Sequence, residues 1–295
     1  MVIHPQVLHN GHIQPAADFA FSPGQVGVMS GWGVFSTIKV VNGVLFAFDR
    51  HWARMHRDSD LMLVPFPWKP AELETALLSL VEANQAYNST LRVAVIRNKG
   101  GIWEGPAQRL DVDLVALTAN RNNWGEEARL GIVANGRFAA SPFAGTKVLS
   151  WASNLAWYEE AHLRGLDEVL LLNERGDVSE CTSANVFAVF GNRVATPPLS
   201  SGCLPGVTRE LLIEVIRVPG IEVVEQPLAL VDLESADGLF ITSSTRDLLG
   251  VREVEGLSIR REDRVRRSLE QAFTDWESAY VAGAVRRARA IETSI

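Results

Sequence analysis

Residues 34–41 (VFSTIKVV) and 44–48 (VLFAF) are β-branched and aromatic runs on either side of Asn42-Gly43. That dipeptide between two such runs predicts a tight hairpin. From Asp49 the apolar spacing lengthens: Trp52, Met55, Leu61 and Met62, with charges between them, fit a helix capped by Asp49 and ended by Pro65 and Pro67. Pro70 opens a second helix, AELETALLSLVEA. Residues 91–97 and 112–118 read as strands, and the polar stretch 120–127 (NRNNWGEE) as a break. Beyond it, 149–164 is helical by pattern, 168–172 (EVLLL) a short strand, 173–177 (NERGD) a turn and 185–190 (NVFAVF) the returning strand. A helix follows over 206–217, strands over 221–225 and 238–242, and a long helix over 261–283. Strands and helices mix without regular βαβ spacing, so the pattern gives an α/β or α+β protein in two domains and does not choose the topology. The expected division is 1–119, a linker at 120–129, and 130–295.

The chain has 295 residues, 47% hydrophobic and 21% charged, enough for a proper core. The net charge of −7 argues against nucleic acid as a partner. No apolar run reaches membrane-spanning length and no signal peptide is visible, so a soluble, cytoplasmic protein is expected. Cys181 and Cys203 cannot make a disulfide framework and read as small buried residues. The six histidines show no metal-ligand spacing, and no metal is expected. Four lysines (Lys39, Lys69, Lys99 and Lys147) stand among 24 arginines, so any lysine chemistry has four possible positions.

Lys147 lies in SPFAGTKVLSW, between a loop of small residues and an apolar helix. A lysine at such a junction is ordinarily solvated. The alternative is a partly buried amine, with lowered pKa and raised nucleophilicity, suited to a Schiff base with a carbonyl such as pyridoxal phosphate. A pyridoxal phosphate site also needs phosphate donors and an acid for the pyridine nitrogen. SGCLPGVTRE (201–210) is a Gly/Pro loop entering a helix, where the N–H groups of Val207 and Thr208 and the Thr208 hydroxyl could hold a phosphate. TSSTRD (242–247) adds hydroxyls, or is simply a capped turn. Arg54 on the first helix could give a charge-assisted bond, and Glu180 in DVSECTSANVF is a candidate acid.

The order of these segments carries a resemblance. GWGVFSTIKVVNG, HWARMHR, SPFAGTK, LRGLDEVLLLNERGDVSECTSANVF, TPPLSSGCLPGVTRE and FITSSTRDLLGV, in that succession from about Asn10 to Gly256, resemble the class IV (fold type IV) pyridoxal-phosphate enzymes. That family contains branched-chain aminotransferases, D-amino acid aminotransferases, (R)-selective amine transaminases and aminodeoxychorismate lyases. The resemblance implies a two-domain α/β fold with the cofactor between domains, and a homodimer. It implies that Lys147 is the Schiff-base lysine and moves the α-proton, that Glu180 meets the pyridinium, and that Arg54, Val207, Thr208 and Ser244, with Thr245 adjacent, form the phosphate cup. One position departs: branched-chain enzymes commonly place tyrosine four residues after the lysine, where this chain has Trp151, which donates but cannot accept.

A transaminase must also bind a carboxylate. Arg97, at the end of a strand in VIRNKGGIWEGP, is the candidate, or else a surface arginine. That segment and Thr37 in FST also have an aminodeoxychorismate lyase flavour, since a threonine there could relay protons during pyruvate elimination. PPLSSGCLPGVTR is closer to the branched-chain transaminases. The expected activity is therefore transfer of an amino group from a branched-chain-like amino acid or an amine to a 2-oxo acid, with pyruvate-eliminating lyase and D-amino acid or (R)-amine transaminase as alternatives. A fold retained as a non-catalytic binding protein is a further class, disfavoured by the joint presence of Lys147 and Glu180.

Overall fold

The computed structural model describes residues 2–102 and 110–292. Residues 103–106 of the lyase-like segment lie outside them. The chain divides into two units, Met1–Asn122 with Thr146–Trp151 and Glu277–Ile295, and Asn123–Gly145 with Ala152–Trp276.

The first unit holds β1 (Ile3–His9), β2 (His12–Pro15), α1 (Val26–Ser30), β3 (Gly33–Val41), β4 (Val44–Leu45), α2 (Phe48–Leu61), α3 (Pro70–Ala83), β5 (Ser89–Arg97) and β6 (Val112–Ala119). Its sheet is antiparallel throughout, in the order β2-β1-β6-β5-β3-β4. Asn42 and Gly43 both have positive φ, 49° and 78°, as a two-residue turn matched to strand twist requires. Val34, Ile38 and Val40 of β3 alternate toward one face with Leu91, Val93 and Val95 of β5, and meet Met55 of α2 and Leu73, Leu77 and Leu80 of α3. The i, i+4, i+7 spacing of those leucines is the apolar stripe of a helix lying on a sheet. Asp49 does not cap α2. The preceding residue, Ala47, is left-handed and no side chain caps the helix; Asp49 sits in its first turn, where a carboxylate favours the helix dipole.

The segment Thr146–Trp151 belongs to this sheet. Phe35 donates its N–H to the Lys147 carbonyl (3.0 Å), Leu149 donates to the Gly33 carbonyl (2.9 Å), and Val34 bridges Val148 in antiparallel fashion. Gly33 makes room for this: a Cβ there would lie 2.4 Å from the Val95 carbonyl oxygen and 2.5 Å from Leu149 Cδ1.

The second unit holds β7 (Glu127–Val133), α4 (Ala152–Leu163), β8 (Glu168–Leu172), β9 (Val178–Cys181), β10 (Asn185–Phe190), β11 (Arg193–Thr196), α5 (Val207–Glu214), β12 (Glu222–Glu225), α6 (Leu230–Ser235), β13 (Gly238–Ser243), β14 (Asp247–Val254) and the start of α7 (Arg264–Glu292). Its sheet runs β12-β11-β10-β13-β14-β7-β8-β9. The pairs β11–β12, β14–β7 and β7–β8 are parallel. Leu130, Leu170, Val178, Val186, Ala188, Ile241, Leu249 and Val251 form one core. Residues 127–129, expected in the linker, lie in β7, where Glu127 and Arg129 flank buried Ala128 in strict alternation. No described helix is long and apolar enough to cross a membrane. Among the described residues no three His, Cys, Asp or Glu are grouped to hold a metal.

Gly33→Ala should cost about 1–3 kcal/mol through overpacking between β3, β5 and the lysine segment. A lowered urea midpoint with unchanged slope would register this.

Candidate active site

Lys147 and Arg54 lie in the first unit. Helix α2 presents His51, Arg54 and Asp58 at i, i+3 and i+7, and all three are buried. Asp58 Oδ2 accepts the backbone N–H of Lys147 at 3.0 Å. Its other oxygen is held by Arg57, Nε at 2.9 Å. The lysine backbone is thus gripped on one side by β3 and on the other by a buried carboxylate. Arg54 Nη2 donates to Ser36 Oγ (2.9 Å), which lies 2.8 Å from His51 Nδ1. An oxygen that accepts from the guanidinium directs its own hydrogen at Nδ1, which leaves the hydrogen of a neutral His51 on Nε2. Burial holds the His51 pKa well below its usual value, with Arg54 and Lys147 adding to the effect.

The Lys147 ammonium lies over the Phe35 ring, 4.7 Å from its centroid, and the Arg92 guanidinium lies 4.0 Å from the same centroid. Phe35 of β3 therefore stands between the lysine segment on one side and β5 on the other. Arg92 is partly buried, and burial lowers its pKa. Its only specific contact among the described residues is this ring. Thr37 is its register partner on β3. Trp151 packs edge-on against Phe35, at 6.0 Å between centroids. Arg97 is occupied otherwise: its guanidinium stacks on Trp32 at 4.3 Å, Nε donates to the Lys99 carbonyl (2.7 Å), and Nη1 donates to the Leu63 carbonyl.

The remaining candidates lie in the second unit. Glu180 is the penultimate residue of β9 and reaches the loop at 203–204. Its Oε1 accepts from Arg137 Nε (2.8 Å) and its Oε2 from the Leu204 N–H (3.0 Å). Arg137 also donates to Asn154 Oδ1 (3.1 Å), and Asn154 donates to the Thr182 carbonyl (2.8 Å). Asn185 ties the next loop by donating to the Leu204 carbonyl (2.8 Å), so close that a Cβ on Gly206 would meet its Oδ1 at 2.1 Å. Helix α5 starts there, with Val207 and Thr208 buried and no side chain capping its first N–H groups. Ser244 and Thr245 sit in the three-residue turn between β13 and β14. Both thiols are free and buried; burial pushes Cys181 up and Cys203 up to about 12.

Asp58, Arg92, Ser36, His51 and Arg137 escaped the reading from sequence. For the α2 residues a signal existed in the helical spacing of His51, Arg54 and Asp58. Arg92 is one arginine in an alternating strand, and only strand parity puts it on the face of Phe35.

An unfolded His51 takes up a proton near pH 6.5, whereas the folded one resists it, so the unfolded state binds more protons and stability falls as pH drops below about 6.5. His51→Gln should remove up to about 1.4 kcal/mol per pH unit of that fall, down to the depressed folded value. Urea melts from about pH 7 to pH 5 would show it as a difference in slope between the two proteins.

Residues 33–254 match the sequence profile of the class IV amino-transferases. A Methanocaldococcus jannaschii protein, assigned by name as a branched-chain-amino-acid aminotransferase, is 28% identical over 271 residues, spanning 90% of this chain and 94% of its own. The D-alanine aminotransferase of Bacillus licheniformis is 27% identical over 258 residues, spanning 86% and 90%. The solved branched-chain amino acid aminotransferase of Escherichia coli shares the fold with a TM-score of 0.83 over 92% of this chain and 93% of its own, at 24% identity. The chain belongs to the class IV aminotransferase family, whose members depend on pyridoxal phosphate.

Proposed function

We propose that this chain transfers the amino group of a branched-chain-like amino acid to a 2-oxo acid, with Lys147 as its catalytic residue. The observation that carries the reading is the placement of Lys147 Nζ and the Arg92 guanidinium over one ring, that of Phe35. An amino acid needs an amine to work on its α-carbon and a cation for its carboxylate. Arg97, spent on two carbonyls and an indole, is a weaker carboxylate anchor than Arg92.

The donor groups fit pyridoxal phosphate. In the second unit, the uncapped N–H groups at the start of α5, the Thr208 hydroxyl and the hydroxyls of Ser244 and Thr245 suit a phosphate; in the first, the Arg54 guanidinium is a cation suited to the same class of anion. Glu180 is an acceptor oriented by Arg137 and the Leu204 N–H. When bound, the cofactor supplies an electron sink for the pair of electrons left on the donor α-carbon. Lys147 would hold it through Nζ. With a donor bound, the Lys147 amine would take the α-proton and hand it back during amino transfer. The grip of Asp58 on the Lys147 backbone limits how far Nζ wanders during that shuttle. Glu180 would hold the proton at the pyridine nitrogen. Trp151 and Phe35 supply apolar edges for an aliphatic side chain. The same reading carries a homodimer in a reducing compartment, which sedimentation and thiol titration test.

A lyase reading rests on Thr37, which is half-buried beside Arg92 on the strand that holds Phe35. A hydroxyl there is placed to relay a proton in pyruvate elimination.

Half-reaction spectra decide. With a panel of L-amino acids, D-amino acids and (R)-amines, a donor should convert the yellow holoenzyme to the pyridoxamine form, and a 2-oxo acid should restore it. Pyruvate from aminodeoxychorismate, with no such shift for any amino donor, would establish the lyase instead. Lys147→Ala is expected to abolish turnover while the circular dichroism stays unchanged; normal activity in that variant refutes the assignment. Glu180→Gln should retain cofactor but slow turnover by roughly 100-fold or more, as expected when one preorganised electrostatic partner is lost.

A further inference from the structure

The turn between β13 and β14 carries two of the hydroxyls assigned to the phosphate, and its last residue points elsewhere. The side chain of Arg246 is only 2% exposed. Its guanidinium stacks on the Trp124 ring, 3.7 Å from the centroid. Nη1 donates to the carbonyl (3.2 Å) and hydroxyl (2.9 Å) of Ser183, and Nη2 meets Glu168 Oε2 at 3.3 Å. Glu168 is itself 1% exposed. Its Oε1 accepts from the N–H groups of Val169 (3.0 Å) and Thr182 (3.3 Å) and from the Thr182 hydroxyl, and its Oε2 accepts from the Ser183 hydroxyl (2.7 Å). Thr182 and Ser183 come directly after Cys181, the neighbour of Glu180.

One buried ion pair therefore joins the turn 244–246 to the turn 182–183. Burying such a pair costs desolvation that apolar side chains of the same volume would not incur. What it supplies is fixed geometry, since both carboxylate oxygens of Glu168 are used and the planar fork of Arg246 binds two partners while its central carbon sits over an indole. A lysine could replace the charge but neither the fork nor the stacking.

We propose that Arg246, through Glu168 and Ser183, is a positioning residue that sets the spacing between Glu180 and the Ser244–Thr245 turn, so that the ring nitrogen and the phosphate of one cofactor are met together. This rests on the reading of those two segments as cofactor contacts. The pair touches neither end itself. It makes the two contacts a single unit, so that the phosphate turn contributes fully only when it is held in register with the carboxylate.

The test uses the full chain, stripped of cofactor and titrated separately with pyridoxal phosphate and with pyridoxal, which lacks the phosphate. The readout is the ratio of the two affinities, which a general loss of stability leaves unchanged. Arg246→Lys should lower the preference for pyridoxal phosphate about 10-fold, the scale of a lost charge-assisted hydrogen bond. Ser183→Ala, which removes one hydroxyl and leaves the ion pair, should lower it about 3-fold. An unchanged ratio in both variants overturns the proposal, including the case in which both affinities fall equally. If circular dichroism shows Arg246→Lys unfolded, the ratio for Ser183→Ala decides alone. Wild-type protein that takes up neither aldehyde overturns the cofactor reading itself, whereas wild-type uptake with unaltered variants overturns only the role of Arg246.

Discussion

The first unit depends on how one strand edge is closed. Strand β4 covers β3 only at Val40 and Val41. The opposite end of that edge, at Gly33 to Phe35, is closed by residues 147–149 through two backbone hydrogen bonds. An open edge is a row of unpaired N–H and C=O groups, so the chain gains from closing it whatever the closing residues are. That the closing segment carries Lys147 means sheet pairing itself aims the amine. The buried Asp58 carboxylate then fixes the same peptide from the helix side. The backbone of Lys147, the amine proposed to react, is held by sheet pairing while sitting in a segment that is otherwise a loop.

The interior of each unit also holds an uncommon amount of charge. Arg54, Asp58, Glu168, Arg209 and Arg246 are all buried. Such groups rarely add stability over an apolar interior, but each removal of a single partner is severe. They therefore act as fixed points around segments that must not drift. The abundance of arginine takes on a structural meaning here. Arg137, Arg246 and Arg97 each hold two partners at once with a planar fork, and two of the three also sit over an indole. Lysine does neither. The scarcity of lysine leaves few competing amines for a carbonyl reagent.

Legibility from sequence followed the strength of the local period. The hairpin at Asn42-Gly43, helices α2 and α3, and strands β5, β6, β8 and β10 announced themselves through long runs or strong turn residues. Strands β1, β2, β9, β11 and β14 did not. VSEC and RVAT have only four residues, and the polar residues of IHPQVLH conceal alternation. Such strands exist because neighbours offer them hydrogen bonds, a non-local cause. The site divides in the same way. Lys147, Glu180 and the α5 entry, proposed for the site, stood out because their residue types and order are distinctive. Asp58, Arg92 and Glu168 are ordinary residues whose roles arise from what they touch, and a touch between β8 and a turn some 14 positions away leaves no mark in the local pattern.

The order of the chain has a consequence for biogenesis. All six strands of the first sheet lie within residues 3–119, so they leave the ribosome well before Lys147. Until residues 147–149 arrive, β3 waits with one end of its edge bare. All six strands can be in place before that segment arrives, and the pairing that covers the bare end of β3 also brings in Lys147. A chain that stops before residue 147 lacks both the cover for that edge and the proposed Schiff-base lysine. Edge cover and amine arrive together, in one zipping step.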